Sequence, residues 1–251
     1  MKSWRGLALP AALLVLAEIG GRAAAPSDTV APPSAVAAAL VAGLADGSLL
    51  AATRDTLASA FGGLAIGAAI GLTLGVLFGS VKSLDRLMEL GVELMRPIPS
   101  VAVIPVALVA LGFGYRLEIA IVSFACLWPL LVLSRAAVVG VEPRLIEVAR
   151  VLRLGPFARV VKIIAPAALP RIFVAFRLAA GISLVVAVTV EIAVNPMGLG
   201  NGIMTAGQAL RPDVMLAYLL WIGIVGFALN AGLVFAQNRL FGHAARVAGA
   251  P

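Results

Sequence analysis

From Leu57 to Phe78, and again from Val214 to Gln237, the chain runs for more than twenty residues without a charged side chain. A helix of about 20 apolar residues crosses the hydrocarbon of a bilayer, and several further apolar stretches of this kind lie between these two and near the amino terminus. The weak ten-residue alternation of an outer-membrane barrel does not appear. Composition agrees, since 62% hydrophobic and 12% charged residues over 251 positions leave too little polar surface to coat a water-soluble globule. The expected class is all-α integral membrane.

The spacing predicts six crossings. The first runs from about Leu7 to Gly20, after Lys2 and Arg5. Its basic start and Ala23-Ala24-Ala25 also fit a cleaved signal peptide, while Glu18 inside the apolar core favours a retained span. A stretch rich in Ala, Pro and Ser follows, with a short amphipathic helix expected from Ser34 to Leu44. The second span, Leu57 to Phe78, carries Gly63, Gly67, Gly71, Gly75 and Gly79 at every fourth position, so all five share one helical face and admit a close neighbour. Pro97, Pro99 and Pro105 must bend or interrupt the third span, Leu87 to Gly114, and broken backbone at membrane depth has to be enclosed by protein or line a water-filled cavity. The fourth span ends near Val139 with a kink expected at Trp128-Pro129. The fifth runs from about Ile172 to Val194 and a Gly-rich external loop reaches Asp213. Residues 1–52, 53–240 and 241–251 read as a leading helix with an external segment, a transmembrane core and a cytoplasmic tail.

With the amino terminus inside, these crossings place fifteen of the nineteen Lys and Arg on the inner side and only Arg22, Arg54, Arg116 and Arg211 outside. The +7 charge is therefore an inside-positive bias, with contact to membrane lipid and no nucleic-acid partner. Both termini are then cytoplasmic.

Glu142 to Pro170 cannot cross. It holds Arg144, Arg150, Arg153, Arg159 and Lys162, with Arg135 and Arg171 at its edges. Helix formers up to Leu154, the Gly155-Pro156 break and a second amphipathic run to Ile164 describe two short helices joined by a turn. On the first, Glu147, Arg150, Arg153 and Leu154 share one tip.

No catalytic constellation is present. His243 is the one histidine, which excludes multi-His metal sites and a Ser/His nucleophile within one chain. None of the three lysines follows a glycine, so a phosphate-cradling GxxxxGK[ST] loop is excluded. Cys126 sits in an apolar run as a small packing residue. Few spanning carboxylates are available for a self-sufficient ion-driven carrier beyond Glu18 and Glu191, and an intramembrane enzyme has no paired carboxylates to use.

The 142–170 stretch resembles the EAA loop of permease subunits of bacterial ABC importers: EAA, three residues, Gly, nine residues, Ile, one residue, Leu-Pro. Glu147, Ala149, Ile163 and Pro166 match. Val148 replaces the first Ala, Arg153 stands at the Gly position with Gly155 two residues on, and Ala165 replaces Leu. The likeness covers about Thr53 to Leu240, and RPIPSVAVIPVALVALGFG and GLGNGI are similar to the subfamily importing aliphatic sulfonates, taurine and nitrate. It implies a six-transmembrane-helix, type I (MetI-like) importer bundle with a cytoplasmic coupling helix, in the bacterial cytoplasmic (inner) membrane. Implied partners are a cytoplasmic ATPase dimer that binds ATP and Mg, an extracytoplasmic solute-binding protein and a second permease copy that completes a homodimer; this chain is expected to hold no cofactor and no metal. The residues implied for ATPase coupling are Glu147, Val148, Ala149, Arg150, Arg153, Leu154, Gly155 and Pro166.

Pathway candidates are Arg96, Pro97, Pro99, Ser123, Glu191 and Asn195. Arg96 either neutralises an anionic solute or snorkels to lipid phosphate. Glu191 either lines an outward mouth or serves as a structural or helix-end residue. Tyr115 and Trp221 read as interfacial anchors or packing residues.

Overall fold

The computed structural model describes residues 3–23 and 30–242, with side chains from residue 8. Lys2, the Ala24-Ala25 pair, His243 and Arg246 lie outside the described residues. Eleven α-helices and two short helical turns make up the described chain, and no strand occurs among the described residues.

Helix α1 covers Ser3–Ala23. Glu18 is there for a reason other than spanning: its carboxylate accepts the N–H and hydroxyl of Ser34 at 2.9 and 2.7 Å and pairs with Arg22 at 2.5 Å. It thereby meets the free amides that begin α2, Pro33–Ala45. The amphipathic helix expected there is instead apolar all round, because Pro33 to Ala45 includes no charged residue. Asp46 follows, and the Ser48 N–H that it accepts at 2.8 Å holds its carboxyl below the usual range.

The long α3, Ser48–Ser80, has 33 residues, about 50 Å at 1.5 Å per residue. It runs beside α6, Tyr115–Val139, in parallel. A methyl added at Gly63 would strike Val122, at Gly67 the Ser123 carbonyl and Cys126, at Gly71 the Leu127 carbonyl and Leu130, and at Gly79 Val138. Each step of four on α3 meets a step of four on α6, the pattern expected from the glycine stripe. Leu64, Leu117, Ile121, Val122 and Leu130 form the adjoining core, and Ala175, Ala179, Ala180 and Ala187 bring α9, Ala165–Ala193, against the same surface.

The third expected span is bent. Helix α4, Lys82–Met95, gives way through Pro97 and Pro99 to a 3₁₀ turn, Ser100–Val103, and to α5, Ile104–Leu111, at 81° to α4. Helix α4 has no buried residue, and Arg135 on α6 anchors it by an ion pair with Asp85 at 2.6 Å. Helix α6 runs unbroken through Pro129.

Where a Gly-rich loop was expected after α9, the chain forms another helix, α10, Gly198–Gln208. Its glycines serve close approach: a methyl at Gly200 would strike the Val188 carbonyl, and one at Gly202 the Tyr218 ring. Helix α11, Pro212–Phe241, closes the described chain. Among the described residues, four helical spans are long and apolar enough to cross a membrane, or five if the bent α4–α5 pair counts as one span.

Candidate functional site

The 142–170 stretch caps one end of the bundle. Pro143 opens α7, Pro143–Val151, and Pro156 opens the four-residue α8, Pro156–Arg159, each at a helix position whose N–H would have no partner. Between them the backbone turns through Arg153 at φ +50°. The Arg153 N–H bonds the Arg150 carbonyl at 2.9 Å and the Leu154 N–H the Ala149 carbonyl at 3.0 Å. That pair of bonds is a Schellman C-cap, whose left-handed residue is usually glycine. The glycine of the resembled motif thus has a physical counterpart at the same position, and Arg153 takes the conformation in its place.

A π-helical turn, Val160–Ile164, joins α8 to α9. It ends two residues before Pro166, which has no N–H to give and whose ring crowds the preceding turn. Ile164, Ala168 and Ile172 pack with Ala137, Val138 and Ile146. Arg171 donates to the Gly140 carbonyl at 3.0 Å, meeting the end of α6. The loop is therefore seated on α3 and α6 and continuous with α9.

Of the residues expected to couple, Ala149 is wholly buried and Leu154 half-buried, whereas Glu147, Val148, Arg150, Arg153, Gly155 and Pro166 are exposed. Leu154 therefore turns inward, away from the charged tip. Val151 and Phe157, each 82% exposed, and Leu152 extend the tip as apolar knobs. Glu147, Arg150 and Arg153 form no ion pair among the described residues.

The second feature is a cavity of about 410 Å³ where the bent span meets α6 and α9, lined by Arg96, Ser100, Phe124, Trp128, Leu178 and Ile182 among others. Trp128 is the fourteenth of the 25 residues of α6, so the cavity lies near mid-span and Arg96 reaches it there. Phe124 holds Trp128 edge-on at 5.7 Å, and the indole N–H is buried without a partner. No carboxylate lines this cavity; Asp85, Glu89 and Glu93 line its neighbour of about 390 Å³, which shares Arg96 and includes Pro97.

The other pathway candidates sit elsewhere. Pro99 caps the 3₁₀ turn. The Ser123 hydroxyl donates to the Ile119 carbonyl of its own helix at 2.6 Å. Glu191 and Asn195 are 2% and 1% exposed, at the bundle end opposite the loop. There Asn195 donates to Glu118 at 2.7 Å and accepts the Gly114 N–H at 2.9 Å, and Glu191 accepts the Gly200 N–H at 2.7 Å. Tyr115 donates to Asp55 and Trp221 to Thr53, each at 2.8 Å. Sequence reasoning missed Glu118, Thr56 and Ser59, all wholly buried. The available clue was a carboxylate and two hydroxyls among apolar helical neighbours.

Long apolar helices of a length to cross a membrane, capped at one end by a short polar helix, define a membrane-embedded helical bundle. Residues 57–244 match the family described as binding-protein-dependent transport system inner membrane component, and the chain belongs to that family. It is 33% identical over 201 residues, 79% of this chain and 74% of the other, to a putative ABC transporter permease of Methanocaldococcus jannaschii. It is 29% identical over 237 residues to a putative aliphatic sulfonates transport permease of Bacillus subtilis, covering 94% and 86%. A bicarbonate transport system permease of Synechocystis shares 30% over 194 residues, covering 77% and 69%. Among solved structures, the inward-facing MetNI methionine ABC transporter superposes with a TM-score of 0.67 at 25% identity, covering 76% of this chain and 94% of that one. The chain is thus a multi-pass inner-membrane permease subunit of an ABC importer, and ATP hydrolysis belongs to a separate ATPase subunit.

Proposed function

We propose that this permease imports a small anion and is driven through α7. The exposed tip of α7 carries the coupling reading. Val148, Val151, Leu152 and Phe157 offer an apolar anchor for a cleft on the ATPase, and the unpaired Glu147, Arg150 and Arg153 orient it. Because the tip is seated on α3 and α6 and runs into α9, a displacement at α7 is carried into the spans.

In this reading α1, α3, the α4–α5 pair, α6, α9 and α11 make six crossings, with both termini and the 142–170 loop cytoplasmic. A second copy of the chain completes the pathway as a homodimer, and α10 lies on the outer face met by the solute-binding protein. Closure of the ATPase dimer on ATP and Mg draws the two α7 tips together and turns the cavity outward; hydrolysis resets it. The Arg96 cation and the unpartnered Trp128 N–H make the mid-span cavity donor-rich and acceptor-poor, which suits a sulfonate, taurine, nitrate or bicarbonate group. Relatives named for sulfonate, nitrate, taurine and bicarbonate transport support that class.

Glu147→Lys tests the coupling. In proteoliposomes holding the complete importer, the variant is expected to insert and bind its ATPase partner while ATP-driven uptake is lost. Uptake at the wild-type rate removes the proposal.

A further inference from the structure

At the bundle end opposite the loop, two carboxyl groups meet out of reach of water. Glu118 is 0% and Glu191 2% exposed, and their side chains lie within hydrogen-bonding reach of each other. One oxygen of each is already met: Glu118 Oε2 accepts Asn195 Nδ2, and Glu191 Oε2 accepts the Gly200 N–H, both at 2.7 Å. The other oxygen of each, Oε1, is buried without a partner. No basic side chain pairs with either carboxyl among the described residues. Two adjacent buried anions with neither water nor a base are strongly disfavoured. A single hydrogen shared by the two carboxyls makes one the donor and the other the acceptor, with the Ser59 and Thr56 hydroxyls of α3 beside Glu118 and Glu191 respectively.

We propose that Glu118 and Glu191 share one proton and that this proton fastens α10 to the bundle. Glu191 is the accepting partner, because the start of α10 already directs the Gly200 N–H at it and a helix amino terminus favours the anion. Glu118 then donates from Oε1 while its Oε2 stays with Asn195. Helix α10 sits directly on this pair: Gly198 holds φ +84°, and a methyl there would overlap the Glu191 carboxyl. Beside it the Leu199 N–H bonds Thr56 on α3 at 2.9 Å.

The other titratable or charged groups near this end pair elsewhere. Asp55 on α3 pairs with Arg54 at 3.0 Å and accepts the Tyr115 hydroxyl of α6. From α11, Tyr218 lies against Gly202, and Asp213 pairs with Arg211 at 3.1 Å. Arg116, next to Tyr115 on α6, makes no ion pair among the described residues. Helices α9 and α10 add only the Asn195 amide and backbone N–H groups at the pair itself. Removing the shared proton leaves two facing anions, so α10 loosens as pH rises.

The test uses the full chain in lipid nanodiscs. Infrared spectroscopy of the wild type is expected to show the carbonyl stretch of a protonated buried carboxyl, lost in Glu118→Gln. Hydrogen exchange of residues 198–208, corrected for intrinsic rate, is expected to lose protection with rising pH in the wild type and to stay protected in Glu118→Gln, whose amide donates without a titrating proton. Should Glu118→Gln not accumulate, Glu118→Asp is expected to shift the same band. A wild type without the band, pH-independent protection of α10, or protection that follows sodium concentration at fixed pH and ionic strength each overturns the proposal, the last in favour of a bound sodium ion.

Discussion

The α3–α6 seam permits one substitution to be predicted with opposite signs at two glycines. At Gly71 an added Cβ would stand 2.6 Å from the Leu127 carbonyl oxygen, 2.9 Å from Leu130 Cβ and 3.2 Å from the Leu131 nitrogen. Heavy atoms rest about 3.5–4 Å apart, and two of these obstacles are backbone, so α6 must retreat by roughly 1 Å. Overfilling of this kind costs about 1–3 kcal/mol, partly offset by the ~1 kcal/mol by which Ala surpasses Gly in a helix. At Gly223 on α11 nothing lies within 4 Å of the added Cβ, so only the helix gain of ~0.5–1 kcal/mol remains. Gly71→Ala should therefore be less stable than Gly223→Ala by ~1–3 kcal/mol, with each 1.4 kcal/mol a factor of ten. Denaturant titration of the detergent-solubilised full chain, followed by tryptophan fluorescence, reads the difference. Equal midpoints for the two variants would refute the close contact of α3 with α6.

Two further substitutions probe the loop and the cavity. Arg153→Gly relieves a left-handed arginine worth ~1 kcal/mol, so amide exchange at residues 153 and 154 should slow by about fivefold; faster exchange would contradict the Schellman turn. Arg96→Gln should raise the half-saturating concentration of an anionic solute about tenfold or more, from the loss of a charge-assisted bond worth ~1.5–3 kcal/mol, while ATPase association is unchanged; unaltered uptake would remove the cavity from the pathway.

Much of this architecture was legible in the residues. The five glycines at intervals of four foretold the α3–α6 seam because close approach is the one thing glycine supplies there. Pro97, Pro99 and Pro105 foretold the break between α4 and α5 because each removes an N–H. The motif around Glu147 foretold two short helices, and the turn survives the loss of its glycine because local bonds from Arg153 and Leu154 hold an arginine in the left-handed region. Helix α10 was not legible: its glycines suggest a loop, and only contact with Val188, Glu191 and Tyr218 shows why they are tolerated in a helix. Glu118 was missed for a similar reason. Near the start of a span it resembles an ordinary boundary acid, and its partners Asn195 and Glu191 lie more than seventy residues away. Arg96 likewise looks like a boundary residue until the fold brings it and Trp128 to the lining of one cavity.

The central claim is that α7 is where the ATPase takes hold. Single cysteines at 147, 151 and 153, with Cys126 left buried against Ala179, can be cross-linked to the cysteine-labelled ATPase in inside-out vesicles. The account predicts cross-links from all three positions whose yield changes with ATP, and none from a control cysteine at 204 on α10. Cross-links absent from 147–153, or labelling of those positions from the opposite face of the membrane, would contradict it.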